Sequence, residues 1–168
     1  MSATTDNAST ARSLLTIALH AAMPFAFAAC PIVNADARIG SIDWLRMMPV
    51  LLPVVGGATV VGAACVAAAH HAKASRALGV TAVVFAFANP LLASLLGAAF
   101  AAALSVLSLG HVANVSPYWS FVWLPLSMLE APLWTLAVCA LLAVATRLLL
   151  PQPRTQPNSG RAGQSGPV

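Results

Sequence analysis

Residues 78–108 read LGVTAVVFAFANPLLASLLGAAFAAALSVLS, 31 positions without a single charge. A helix of that length spans roughly 46 Å, against about 30 Å of bilayer hydrocarbon. The stretch is therefore expected to cross a membrane, with the excess taken up by tilt, by projection or by a kink at Pro90. Three further stretches have the same character, at 13–33, 47–69 and 119–150. The fold class expected is all-α: an integral membrane bundle of four transmembrane helices within 12–150.

Composition agrees. Hydrophobic residues make up 60% of the 168, charged residues only 7%, and mean hydropathy is +0.86. Soluble domains carry about 25% charged residues, so this chain cannot cover a core with a water-facing surface. The eight basic residues are spread out, with no run that could track a phosphate backbone, which argues against a nucleic-acid partner. The sparse Lys beside frequent Arg, Ala, Gly and Pro suggests a bacterial, high-GC source, and hence a bacterial inner (cytoplasmic) membrane location.

The basic residues do carry topology. With the N-terminus inside, Arg12, Lys73, Arg76, Arg147, Arg154 and Arg161 fall on the inner side, and only Arg38 and Arg46 on the outer side. The excess of Lys and Arg marks the cytoplasmic face, so both termini are expected there. Trp44, Tyr118, Trp119, Phe121 and Trp123 gather at the outer boundary, where aromatic rings favour the headgroup layer. Residues 1–11 read as a disordered polar lead. Residues 151–168, rich in Pro, Gln, Ser and Gly, read as a disordered tail. Residues 1–28 also have the outline of a cleaved signal, with Ala26-Phe27-Ala28 in A-x-A form and Cys30 in a loose lipobox. The length of the apolar run, with His20 and Pro24 inside it, favours an uncleaved helix.

Within the spans, proline and small residues set the packing. Pro24, Pro90 and Pro132 each free the carbonyl four residues earlier, those of His20, Ala86 and Met128. Ala58 and Gly62 on the second segment, and Ala93, Gly97 and Ala101 on the third, form stripes that let helix backbones approach. Gly56 and Gly57 lie beside the first stripe.

Polar residues in apolar helices need partners. Glu130 lies near the middle of segment four, where a charge costs roughly 2.5–3.5 kcal/mol unless paired or open to water. At helical spacing Ser127, Glu130 and Trp134 would share a face below Trp123, a candidate polar seam. His20 and Asn89 lie at comparable depth, so a cluster of His20, Asn89 and Glu130 is expected if the helices pack that way. As a set it would suit a proton or cation path.

No metal site or cofactor is expected. Cys30, Cys65 and Cys139 are isolated, and His70 and His71 are adjacent and point apart. His20 and His70 are offset in depth, which disfavours haem, and Met47-Met48 lacks a neighbouring His-rich run for copper. His70, His71, Lys73 and Arg76 form an inner basic patch suited to anionic lipid. Walker, zincin and nucleophile-elbow motifs are absent, and the loops are too short for a soluble catalytic domain. The expectation is a non-enzymatic accessory, assembly or interaction subunit. Its partners would be the bilayer and either copies of itself or another membrane protein. The alternative is a small oligomeric transporter or channel using Glu130, lined by Ser127, Asn89 and His20. Four apolar helices alone choose no function.

Overall fold

A computed structural model describes residues 3–30, 44–72, 75–107 and 117–150. Five helices account for nearly all of them: α1 (Ala3–Ala28), α2 (Trp44–His71), α3 (Ser75–Val106), α4 (Pro117–Glu130) and α5 (Pro132–Leu149). There is no strand among the described residues. Four helical stretches are long and apolar enough to cross a membrane: Asn7–Ala28, Met48–His71, Ser75–Val106 and Pro132–Leu149. The first loop through position 43, Lys73, the His111 loop and the tail at 151–168 lie outside the described residues.

Two helix boundaries differ from the sequence expectation. α1 starts at Ala3, so residues 3–11 continue the first helix instead of forming a separate lead. Once an apolar helix is nucleated, extending it costs far less than starting one, and Ala8 and Ala11 favour extension. The second difference is a break in the fourth segment. Ala131 leaves helical geometry, at φ −131° and ψ 67°, and separates α4 from α5. A residue before proline is pushed out of the α region by the ring, and Pro132 then starts α5 where its missing N–H costs nothing. The Met128 carbonyl freed by that proline receives the Thr135 hydroxyl at 3.4 Å. By contrast, α3 runs unbroken through Pro90, and α1 through Pro24.

α2 packs along both α1 and α3, α3 meets α4 and α5 in turn, and α5 returns to α1. The result is a four-membered ring in which α4 and α5 together form the fourth side. The central core joins Met23 and Phe27 of α1, Val54 and Ala58 of α2, Ala86 and Ala93 of α3, Leu124 of α4 and Leu142 of α5. A smaller cluster, Ala69, Leu78, Ala82 and Leu150, closes the end where α2 gives way to α3.

Glycine sets the closest approaches. A Cβ on Gly57 would overlap the Ala93 carbonyl oxygen, and one on Gly97 would come within 2.9 Å of Val54 Cα. Real Cβ atoms do not approach that closely, so α2 and α3 cross backbone to backbone at this point. Ala58, Ala93 and Ala101 are fully buried, and Gly62 and Gly97 are buried with them. Gly57, only a neighbour of the stripe in the sequence, has the tightest fit.

The outward faces are apolar too. Leu129 and Leu133 are each 79% exposed, Leu148 75% and Leu141 70%. Helices that are apolar all round belong to the centre of a large assembly or to lipid.

Candidate functional site

The buried polar residues meet where α1, α3 and α5 converge. His20 on α1, Asn89 on α3 and Thr146 on α5 all have no exposed surface. Asn89 Nδ2 lies 2.8 Å from His20 Nδ1, and also 3.5 Å from the His20 backbone oxygen. That oxygen is the carbonyl released by Pro24. A carbonyl can only accept, which puts the amide nitrogen of Asn89 on this side and makes His20 Nδ1 an acceptor. The imidazole proton then sits on Nε2, and Nε2–H donates to Thr146 Oγ1 at 3.2 Å. One proline-released carbonyl, one amide, one ring and one hydroxyl thus tie three helices together.

The backbone explains why His20 fits. A Cβ on Gly62 would come 2.9 Å from His20 Cβ and 3.1 Å from Ile17 Cα. The glycine lets α2 close over the histidine and shut the junction on its fourth side. One acceptor stays unused: Asn89 Oδ1 is buried with no donor in reach among the described residues.

Three other buried hydroxyls turn back onto their own helices. Ser127 donates to the Trp123 carbonyl at 2.9 Å, Thr16 to that of Arg12 at 3.0 Å, and Ser94 to that of Pro90 at 2.9 Å. Four-residue back-bonding of this kind satisfies a hydroxyl without a neighbouring helix. Ser127 is therefore buried but committed to its own backbone.

Glu130 does not join the cluster, which corrects the expected grouping with His20 and Asn89. It is exposed at the last residue of α4. The polar seam of Ser127, Glu130 and Trp134 is not formed either: Ser127 faces inward and Glu130 outward. Ser127 and Glu130 lie in the same helix, with Ser127 on its packed side and Glu130 on its outer side, and the break at Ala131 removes the register of both with Trp134. Trp134 instead reaches α1, its Nε1–H donating to the Ala26 carbonyl at 3.0 Å. Leu129, the neighbour of Glu130, lines a groove with Leu91 and Leu92, close to Asn89 in the middle of α3.

Thr146 and Trp134 were not picked out from the sequence as partners of α1. A signal for Thr146 does exist: Thr135, Cys139, Leu142 and Thr146 recur at helical spacing, and all four are buried. Small and hydroxyl side chains on one face of an otherwise leucine-rich helix mark the packed side.

No group of three metal-ligating side chains occurs among the described residues. Cys30, Cys65 and Cys139 are free, buried and apart. His70 and His71 are exposed at the end of α2. The grooves lie on the outside of the bundle. One between α1 and α5, about 300 Å³, is walled by residues such as Leu19, Met23, Val138 and Leu141. Another between α3 and α4, about 460 Å³, is walled by Leu91, Leu95, Phe121 and Leu126 among others. Neither has a charged wall residue. The arrangement can lock helices and offer apolar faces, and no described cavity brings two titratable groups together. Comparison with protein-family models, with curated proteins and with solved structures finds no match for this chain.

Proposed function

We propose that this chain is a multi-pass membrane protein of a bacterial inner membrane. It would act through helix contacts as a non-enzymatic accessory, assembly or interaction subunit. The observation that carries this reading is the division of its polar groups. Inside the bundle, His20, Asn89 and Thr146 are bonded to one another, and Asn89 Oδ1 alone keeps an unused acceptor among the described residues. Outside, the surface is leucine and valine, with apolar grooves between the helices. A transport path needs polar groups free to meet a solute, whereas an interaction subunit needs apolar faces and a rigid frame.

Insertion itself is supported by the four apolar spans and by outward leucines that only lipid or another protein would cover. The orientation, with both termini cytoplasmic, follows from the Lys and Arg distribution. Arg76, Arg147 and the exposed His70 and His71 belong to the cytoplasmic end. The exposed Tyr118 and Trp119, packed edge to face at 5.4 Å, belong to the opposite end.

The test is particle mass in native lipid. Protein extracted with its surrounding bilayer by a lipid-excising polymer is expected to give a mass above one chain plus lipid, from a second copy or another protein. A uniform single-chain mass would defeat the interaction reading.

One observation favours the transporter or channel alternative. Glu130 is exposed at a helix break on an apolar surface, and an oligomer could enclose it. Proton or cation flux in liposomes that disappears in Glu130→Gln is the result that reading requires.

A further inference from the structure

Arg147 lies in the last turn of α5, and its guanidinium turns toward the first turn of α3. Nη2–H donates to Ser75 Oγ at 2.8 Å. Nη1 is buried and has no acceptor among the described residues. Glu130, the one acid whose side chain is described, lies at the far end of α5. A guanidinium offers five donors in a planar fork, and here only one of them is used. Among the described residues no carboxylate balances its charge.

The surroundings add one positive charge. Arg76 is exposed beside Ser75, and the His70 and His71 rings, exposed at the end of α2 a few residues earlier in the chain, add N–H donors. The first N–H groups of α3 open at the same place, and a helix start favours anions. Ser75 accepts from Arg147, which leaves its own hydroxyl proton to donate. Leading away from the guanidinium, a groove of about 230 Å³ runs between α3 and α5, walled by Gly79, Val83, Ala143, Val144 and Leu148. The guanidinium lies against α3 at Gly79, where a Cβ would meet Arg147 Nε at an ordinary contact distance of 3.7 Å. One end of this cleft is a cation in want of an anion, and the rest is a hydrocarbon-lined channel.

We propose that this cleft binds an anionic phospholipid. The phosphate is held by Arg147, the Ser75 hydroxyl and Arg76, and an acyl chain lies along the groove past Gly79 and Val83. The occupant is chosen by charge complementarity at one end and apolar walls along the length. A free phosphate would satisfy the first feature and leave the second unused. The proposal rests on the membrane reading above and places the site at the cytoplasmic boundary, where basic pockets between helices meet lipid headgroups.

Native mass spectrometry of the full chain, purified in a phospholipid-free detergent, tests it. The probes are phosphatidylglycerol, phosphatidylcholine of the same chains, and inorganic phosphate. Phosphatidylglycerol is expected to bind about tenfold tighter than phosphatidylcholine, the size of one charge-assisted hydrogen bond. Arg147→Gln is expected to remove that preference. Ser75→Asp supplies a carboxylate to the guanidinium at an exposed position, so it is expected to abolish the preference without loss of helicity or thermal stability. Equal binding of the two lipids, or a preference unchanged in Ser75→Asp, would overturn the site. Displacement of phosphatidylglycerol by inorganic phosphate at equal concentration would overturn the lipid assignment in favour of free phosphate. Failure of the underlying reading looks different: the protein would be recovered without detergent, in the soluble fraction.

Discussion

Two places in the bundle hold polar side chains, and they end up in opposite states. At the junction of α1, α3 and α5, His20, Asn89 and Thr146 are fully buried and bonded to one another. At the α4–α5 break, Glu130 faces outward beside Leu129 and Leu133. Both places owe their form to a proline. Pro24 stays inside its helix, and the carbonyl it releases is drawn into a hydrogen bond from α3. Pro132 ends one helix and begins another, and Glu130 is left at the exposed end of the first. Both released carbonyls find a donor, that of His20 from Asn89 on another helix and that of Met128 from Thr135 across the break.

Breaking the closed side is expected to have the largest effect. Gly57→Leu forces a side chain into the α3 backbone at Ala93, and is expected to cost about 3 kcal/mol or more. Unfolding by SDS titration, followed by tryptophan fluorescence in mild detergent, would report it. His20→Leu removes the hub and leaves Asn89 and the carbonyl system half-satisfied, with an expected loss of about 2 kcal/mol by the same titration. The double variant His20→Leu with Asn89→Leu should recover part of that loss, because the orphaned amide goes with its partner. Thr146→Val tests only the ring-to-hydroxyl contact and is expected to cost about 0.6 kcal/mol, typical for a hydrogen bond between membrane helices. At the open side, Glu130→Gln is expected to leave stability within about 0.5 kcal/mol of the parent, as for an exposed position without partners in the fold. A loss as large as that of His20→Leu would erase the contrast between the two places.

Much of this frame was legible in the sequence, for physical reasons. The four apolar stretches declare themselves by length and lack of charge. Ala58, Gly62, Ala93, Gly97 and Ala101 stand out by spacing, since close helix approach needs small residues every four positions. His20 and Asn89 stand out as polar residues with no water to bond to. What stayed hidden depended on tertiary reach. Pro24, Pro49, Pro53, Pro90, Pro125 and Pro132 look alike in sequence, yet only Pro132 separates two helices. The projected register of Ser127 and Glu130 with Trp134 assumed a continuous helix, and which side of α4 packs against α3 is set by tertiary contacts that spacing does not show. Thr146 was hidden for a simpler reason: a threonine in a membrane helix can always bond to its own backbone, and only the position of His20 shows that this one does more.

The central claim is that the polar interior is structural and that the chain works through its outward faces. A photo-activated cross-linker placed at Leu129 or Leu133, with buried Leu124 as the control, tests it most directly in native membranes. Discrete higher-mass adducts from the two outward positions and none from Leu124 are the predicted result. An absence of adducts from both outward positions, in a protein that is otherwise folded and inserted, would contradict the account.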